Sequence, residues 1–193
     1  MLKKVAIKIM ARLTKSRVST WASNPIETQK KQLNYLIKNA LNTSFGQAHS
    51  FSKIKNYDDF KNHIPVRDYE GLREYFEQIK EGKKNVLWPG KPLYLAVTSG
   101  TTSGSKYIPI TKQSLPNHLN GAKNALLMYV AETGKVDFVN GKFIFIQGSP
   151  VLSKISGILT GRLSGISAYH IPFYMKKKHA PIMEYKHYRA VGE

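Results

Sequence analysis

Leu93-Tyr94-Leu95-Ala96-Val97-Thr98-Ser99-Gly100-Thr101-Thr102-Ser103-Gly104-Ser105-Lys106-Tyr107-Ile108-Pro109-Ile110 joins two apolar runs through a stretch of Ser, Thr and Gly that ends in a lysine. This order predicts a buried strand, a loop and a returning strand. A loop of that composition at a strand end can hold phosphate. Gly100 and Gly104 permit the positive backbone angles that let successive N–H groups converge on an anion. Ser99, Thr101 and Thr102 supply hydroxyl donors, flanked by Thr98 and Ser103, and Lys106 adds a charge-assisted contact. Composition alone leaves a plain hairpin loop as the competing reading, because these residue types also dominate ordinary turns.

Spacing excludes two familiar nucleotide loops. Gly100 and Gly104 are separated by three residues and Ser105 precedes the lysine, so the G-x-x-x-x-G-K-[ST] pattern fails. That design also requires a helix where Tyr107–Ile110 predicts a strand. No G-x-G-x-x-G follows a strand, which removes support for a nicotinamide or flavin enzyme.

Upstream, Trp88-Pro89-Gly90 is a turn signal, and the ninety or so residues before it are mainly helical in pattern. Asn24, Pro25 and Glu27 open a helix whose apolar face is Leu33, Leu36, Ile37, Ala40 and Leu41 and which ends before Gly46. A short helix is expected near Asp58–Lys61, and another from about Asp68 to Lys80, closed by Gly82. Downstream, a helix is expected from about Gln113 to Glu132 and a strand over Lys142–Gln147. A helical first half followed by mixed strands and helices places the chain in the α/β class, as one domain over residues 1–193.

Composition bounds the function. A chain of 193 residues, 41% hydrophobic and 22% charged, is globular in class. It lacks cysteine and any apolar run long enough to span a bilayer, which fits a soluble, cytoplasmic protein. Thirty Lys and Arg against 12 Asp and Glu give a net charge of +18, a bias toward phosphates, anionic lipid or acidic ligands. Residues 1–22 form a basic amphipathic helix. Lys3, Lys4, Lys8, Arg12, Lys15 and Arg17 carry its charge, while Leu2, Val5, Ala6, Ile9, Met10 and Leu13 recur at helical spacing. Lys8 and Arg12 interrupt the apolar centre that a secretory signal needs, so the expectation is a docked terminal helix with weak contact to anionic surfaces.

The run from Thr98 to Lys106 resembles the Ser/Thr/Gly-rich signature of the adenylate-forming enzymes. Its flanks narrow the resemblance. Asn42-Thr43-Ser44-Phe45-Gly46, Tyr57-Asp58-Asp59-Phe60, Ile64-Pro65-Val66, Asp68-Tyr69-Glu70, Asn85-Val86-Leu87-Trp88-Pro89-Gly90 and Lys106-Tyr107-Ile108-Pro109-Ile110-Thr111 are similar to the auxin-responsive acyl-acid amido synthetases and their bacterial relatives. The resemblance implies the N-terminal part of the large adenylation domain. It implies ATP and Mg2+ as cofactors, and a carboxylic acid and an amine or amino acid as substrates. In that reading Thr98, Ser99, Gly100, Thr101, Thr102, Ser103, Gly104 and Lys106 hold the β and γ phosphates. The family's adenine-gripping, ribose-binding and C-terminal elements have no counterpart before Glu193, so the expectation is a partial domain that does not complete the reaction alone. An acyl-CoA ligase is the alternative within the superfamily.

Other candidates are weaker. The resemblance implies that the neighbourhood of Phe143–Ser149 approaches the acyl group: Phe143 and Phe145 read as buried strand residues, Gly148 and Ser149 stay as pocket candidates, and Met128 and Tyr129, on the helix after the loop, are candidates that core packing explains equally well. The six histidines show no metal-ligand spacing, so no metal site is expected on them. A basic nucleic-acid- or membrane-binding module rests on the charge alone. No zinc finger, RNP-like strand or helix-turn-helix supports it, and no specific nucleic acid is expected.

Overall fold

The computed structural model describes residues 2–98, 104–141, 143–144, 148–171 and 179–180. Five helices precede the first strand: α1 (Leu2–Ala22), α2 (Pro25–Ala40), α3 (Ser44–Ala48), α4 (Tyr57–His63) and α5 (Arg73–Lys80). Strands β1 (Tyr94–Thr98) and β2 (Lys106–Ile110) follow, then helix α6 (Leu115–Thr133). The chain continues through β3 (Phe143–Ile144), β4 (Ser153–Ile155), β5 (Ile158–Arg162), α7 (Leu163–Tyr169) and β6 (His179–Ala180). Of the expected strand over Lys142–Gln147, residues 142 and 145–147 lie outside the described residues.

The main sheet has the order β2-β1-β5-β4. β1 pairs antiparallel with β2 and parallel with β5, and β4 pairs antiparallel with β5. β1 is therefore central, and its residues alternate between two clusters. Leu95 joins Ile79, Val86 and Ile158 on one face, while Tyr94 and Ala96 join Ile110 and Ile166 on the other. Burial on both faces explains why this strand reads as a continuous apolar run. β4 and β5 are joined by Ser156 and Gly157, both at positive φ, the geometry of a two-residue hairpin turn. β3 and β6 form a separate parallel pair.

Two of the family-like segments of the helical half lock onto each other. Thr43, 1% exposed, caps α3: its hydroxyl donates to the Ala40 carbonyl at 2.7 Å and accepts from the Gly46 N–H at 3.0 Å. The free Ser44 and Phe45 N–H groups at the same helix start donate to the carbonyls of Asn85 and Val86. Asn85 is itself held at positive φ, its side chain accepting from Gly90 N–H at 2.6 Å. The Trp88-Pro89-Gly90 turn thus closes around α3. α2 ends before Gly46, as expected, and Gly46 is an interior residue of α3. A Cβ there would stand 2.1 Å from the Ala40 carbonyl oxygen.

Other boundaries shift for local reasons. The helix expected from Asp68 splits into a 3-10 turn at Glu70–Leu72 and then α5, because the Asp68 carboxylate accepts from Gly71 N–H at 2.8 Å and holds a turn. Gly82, at φ +94, ends the segment as expected. Asn24 precedes α2 without a side-chain capping bond, and Pro25 occupies the first turn.

α1 packs chiefly on α6. Ala11 and Thr14 are buried against a cluster of Leu127, Val130 and Val136, with Ile7 and Phe138 at its edge. Lys4 pairs with Asp137 at 2.7 Å and Lys15 with Glu132 at 3.1 Å. Lys4 holds the Asp137 carboxyl below its ordinary range, first by the hydrogen bond and then by its charge. The helix is docked, as expected, but by its small residues rather than by its apolar stripe. No helix among the described residues is long and apolar enough to cross a membrane.

Candidate functional site

The parallel pair β1 and β5 sets the position of the site. Ligands of α/β sheets gather at the carboxyl ends of parallel strands, where chain directions change across the sheet. Here β1 and β5 end side by side, with Val97 opposite Arg162. The Ser/Thr/Gly loop leaves from this point, and its two ends are bridged by the Thr98–Lys106 register pair that closes β1 onto β2. Ser99, Gly100, Thr101, Thr102 and Ser103 lie outside the described residues. Gly104 is described, at φ +82 and with open space where a Cβ would stand. Both features leave its backbone free to approach a ligand.

Lys106 is half-buried, and its ammonium has no acid partner among the described residues. It lies instead over the ring of Tyr69, 5.4 Å from the centroid. Tyr69 is fixed from two sides. Its ring stacks on Phe76 of α5 at 4.6 Å and 14°, and its hydroxyl accepts from the Tyr107 N–H of β2 at 3.0 Å. A second cation repeats the arrangement one residue on, with Lys80 over the Tyr107 ring at 4.9 Å, although Lys80 is also paired to Glu77 at 2.7 Å. Lys106 is thus a positioned cation whose charge is not spent on a carboxylate. An aromatic face attracts it while leaving its three N–H donors available to another acceptor.

Gly148 and Ser149 reach the same end of the sheet. Gly148 N–H donates to the Ser164 hydroxyl at 2.9 Å, and a Cβ on Gly148 would stand 3.3 Å from Arg162. A Cβ on Gly165 would fall 2.1 Å from the Ser149 carbonyl oxygen, so the 148–149 backbone seats directly on the start of α7. Beneath it, Tyr94 of β1 and His170 after α7 meet with the hydroxyl 2.8 Å from Nε2. Burial, with Tyr169 assisting, raises the Tyr94 phenol above its ordinary range and keeps it neutral.

Met128 and Tyr129 are not brought to this point by any described contact. They lie near the far end of α6, where Tyr129 meets Phe138 edge-on at 6.2 Å. Sequence reasoning missed Arg162, exposed at the last position of β5, since nothing local marks that strand. It also missed the role of Tyr69, quoted only as part of Asp68-Tyr69-Glu70. An aromatic residue in the first turn of a predicted helix gives no hint that it meets a strand over thirty residues away. A cavity of about 260 Å³ opens elsewhere, at the Pro109 end of β2, between Leu36, Trp88, Pro89 and Ser114. Its lining is mainly apolar and includes neither Lys106 nor Gly104, so it is not the expected phosphate site. The buried Trp88 indole N–H nearby has no hydrogen-bond partner among the described residues.

Residues 14–189 match the GH3 family N-terminal domain. The indole-3-acetic acid-amido synthetase GH3.5 of Arabidopsis thaliana is 26% identical over 168 residues, which is 84% of this chain and 27% of that protein. The jasmonoyl–L-amino acid synthetase JAR6 of Nicotiana attenuata is 23% identical over 136 residues, 69% of this chain and 23% of that one. Among solved structures, the AtGH3.15 acyl acid amido synthetase superposes with a TM-score of 0.68 at 21% identity, over 79% of this chain and 27% of its own. The chain spans about a quarter of the length of these relatives.

Proposed function

The chain belongs to the GH3 family, and on that premise we propose that it supplies the ATP-phosphate-holding part of an acyl-acid amido synthetase. The observation that carries this reading is Lys106, a cation with no acid partner among the described residues, seated on Tyr69 at the mouth of the Ser/Thr/Gly loop. The residues suit polyphosphate. Thr98, Ser99, Thr101, Thr102 and Ser103 offer hydroxyls, Gly100 and Gly104 offer close backbone approach, and Lys106 offers charge. Mg2+ would enter with the nucleotide, ligated by phosphate oxygens.

The reaction has two steps. A carboxylate oxygen attacks the α phosphorus of ATP, forming the acyl–O–P bond and expelling pyrophosphate. An amine then attacks the acyl carbon, forming the amide and expelling AMP. The chain's contribution to the first step is positioning. A β,γ-pyrophosphate held by the loop and Lys106 is aligned opposite the incoming carboxylate, and its developing charge is balanced as it leaves. Gly148 and Ser149, at the adjoining strand end, are proposed to border the acyl group, with Met128 and Tyr129 as more remote members of that side. The amide product, rather than a thioester, is favoured because the named relatives are amido synthetases.

Mg-ATP titration into the chain by calorimetry tests the phosphate role, together with acid-dependent ATP–pyrophosphate exchange by the full gene product. Lys106→Ala should lower both, the exchange rate by about 10²-fold, the size of effect seen when one pre-aligned donor to developing charge is removed. Exchange and binding that survive the substitution intact would remove Lys106 from the phosphate site.

A further inference from the structure

We propose that α1 is a membrane-surface helix that lies in the plane of an anionic bilayer while its opposite face stays clamped to α6. The inference rests on which side of α1 is used for packing. Lys4, Ile7, Ala11, Thr14, Lys15 and Val18 form the side turned to the protein, and only Ala11 and Thr14 are buried. Roughly half a turn around the axis lies the apolar stripe. There Leu2 is 85% exposed, Leu13 58%, Ile9 54% and Val5 49%. A terminal helix that needed its apolar side for folding would have turned it inward. This one docks by alanine and threonine and leaves the large side chains outside.

Charge identifies the occupant. Arg12 borders the stripe on one side and Arg17 on the other, Lys8 and Lys3 stand beyond them toward the docked side, and the first acidic residue of the chain is Glu27. None of these four cations forms an ion pair among the described residues, whereas Lys4 and Lys15, on the docked side, do. An apolar stripe between two cationic borders is the pattern of a helix that sinks its side chains to the headgroup boundary and holds lipid phosphates along both edges. Trp21 is 53% exposed at the helix end and suits the same interface. The stripe, at residues 2–13, also precedes the first residue of the family match. A second copy of the chain is disfavoured as occupant because each copy carries +18. A nucleic acid would use the cations but gain nothing from leucine and isoleucine.

The test is co-sedimentation of the chain with vesicles of phosphatidylcholine alone and of phosphatidylcholine mixed equally with phosphatidylglycerol. Binding is expected on the mixed vesicles, weakly or not at all on the neutral ones, and less at high salt. Ile9→Ser with Leu13→Ser, and separately Arg12→Gln with Arg17→Gln, should each lower the partition by about tenfold or more. These side chains face away from α6, so the circular dichroism and melting midpoint should not change. Trp21 fluorescence, separable from the partly buried Trp88 by Trp21→Phe, should shift to the blue only with the mixed vesicles. The proposal is overturned by absence of binding to the mixed vesicles, by equal binding to both kinds, or by binding that ignores the stripe substitutions. A self-associated chain dispersed by the stripe substitutions, without vesicle binding, would assign the face to a second copy instead. Displacement by a DNA oligonucleotide with no effect of the stripe substitutions would assign it to nucleic acid.

Discussion

Lys106 and Tyr69 show how one aromatic side chain can do two separable things. The ring gives the ammonium a seat, and the hydroxyl gives β2 a backbone acceptor. Tyr69→Phe removes only the acceptor. The Tyr107 N–H loses its partner, and stability should fall by about 1 kcal/mol with Mg-ATP affinity nearly unchanged. Tyr69→Leu removes the ring as well. Affinity for Mg-ATP should then weaken about three- to fivefold, the equivalent of a partly exposed cation–π contact, because the lysine is no longer held at the loop mouth. Chemical denaturation and calorimetric titration of the two variants separate the effects. Equal affinity in both would show that Lys106 needs no aromatic seat.

At the level of elements, the same substitution has opposite consequences in two helices. In α3 a Cβ on Gly46 would collide with the Ala40 carbonyl oxygen, a backbone atom fixed by Thr43 and unable to yield cheaply. Gly46→Ala should therefore destabilise the chain by about 1–3 kcal/mol. In α6 nothing lies within 4 Å of a Cβ on Gly121. Gly121→Ala removes only the entropic cost of a helical glycine and should stabilise by about 0.5–1 kcal/mol. Urea unfolding of both variants checks the signs. The contrast also marks what is readable in advance. β1, β2, α2 and the Gly82 stop are legible because each is written in neighbouring residues: an apolar run, a Pro at a helix start, a Gly at an end. Gly46 is legible as lying beyond α2 but not as a tight interior position of α3, because the residue that forbids its side chain, Ala40, lies across a turn. β5 and α7 leave no local mark at all. Ile158–Arg162 is short, contains Gly161 and pairs with β1 more than sixty residues away, so its strand character comes from the partner. The proposed contribution of Gly148, Ser149 and Arg162 depends on that distant pairing, while the composition of the Ser/Thr/Gly run is local. The docking face of α1 is hidden for another reason: hydrophobic periodicity points to Leu2, Val5, Ile9 and Leu13, and the structure buries Ala11 and Thr14 instead.

Over the whole molecule, the charge imbalance sets how stability responds to salt. Two opposed effects are in play. Most ion pairs among the described residues are exposed, Lys4–Asp137, Lys15–Glu132 and Arg73–Glu70 among them, and added salt weakens each. Such pairs contribute about 0–1 kcal/mol apiece. Against this stands the self-repulsion of a chain with +18 net charge, which folding compresses into a smaller volume and which salt relieves throughout. Excess cations outnumber the pairs, and the repulsion acts between all of them, so its relief outweighs the weakening of the pairs. The melting midpoint should rise by a few degrees from about 0.02 M to about 0.2 M sodium chloride, then flatten as the Debye length falls below the spacing of surface charges. Sulfate or polyphosphate at equal ionic strength should raise it further if the loop and Lys106 take up anions, since ligands of the folded state add to stability by mass action. Lys106→Ala should cancel that extra increment and leave the chloride response untouched. A midpoint that falls with sodium chloride would instead mean that the surface pairs dominate and that the excess cations are spaced too widely to repel.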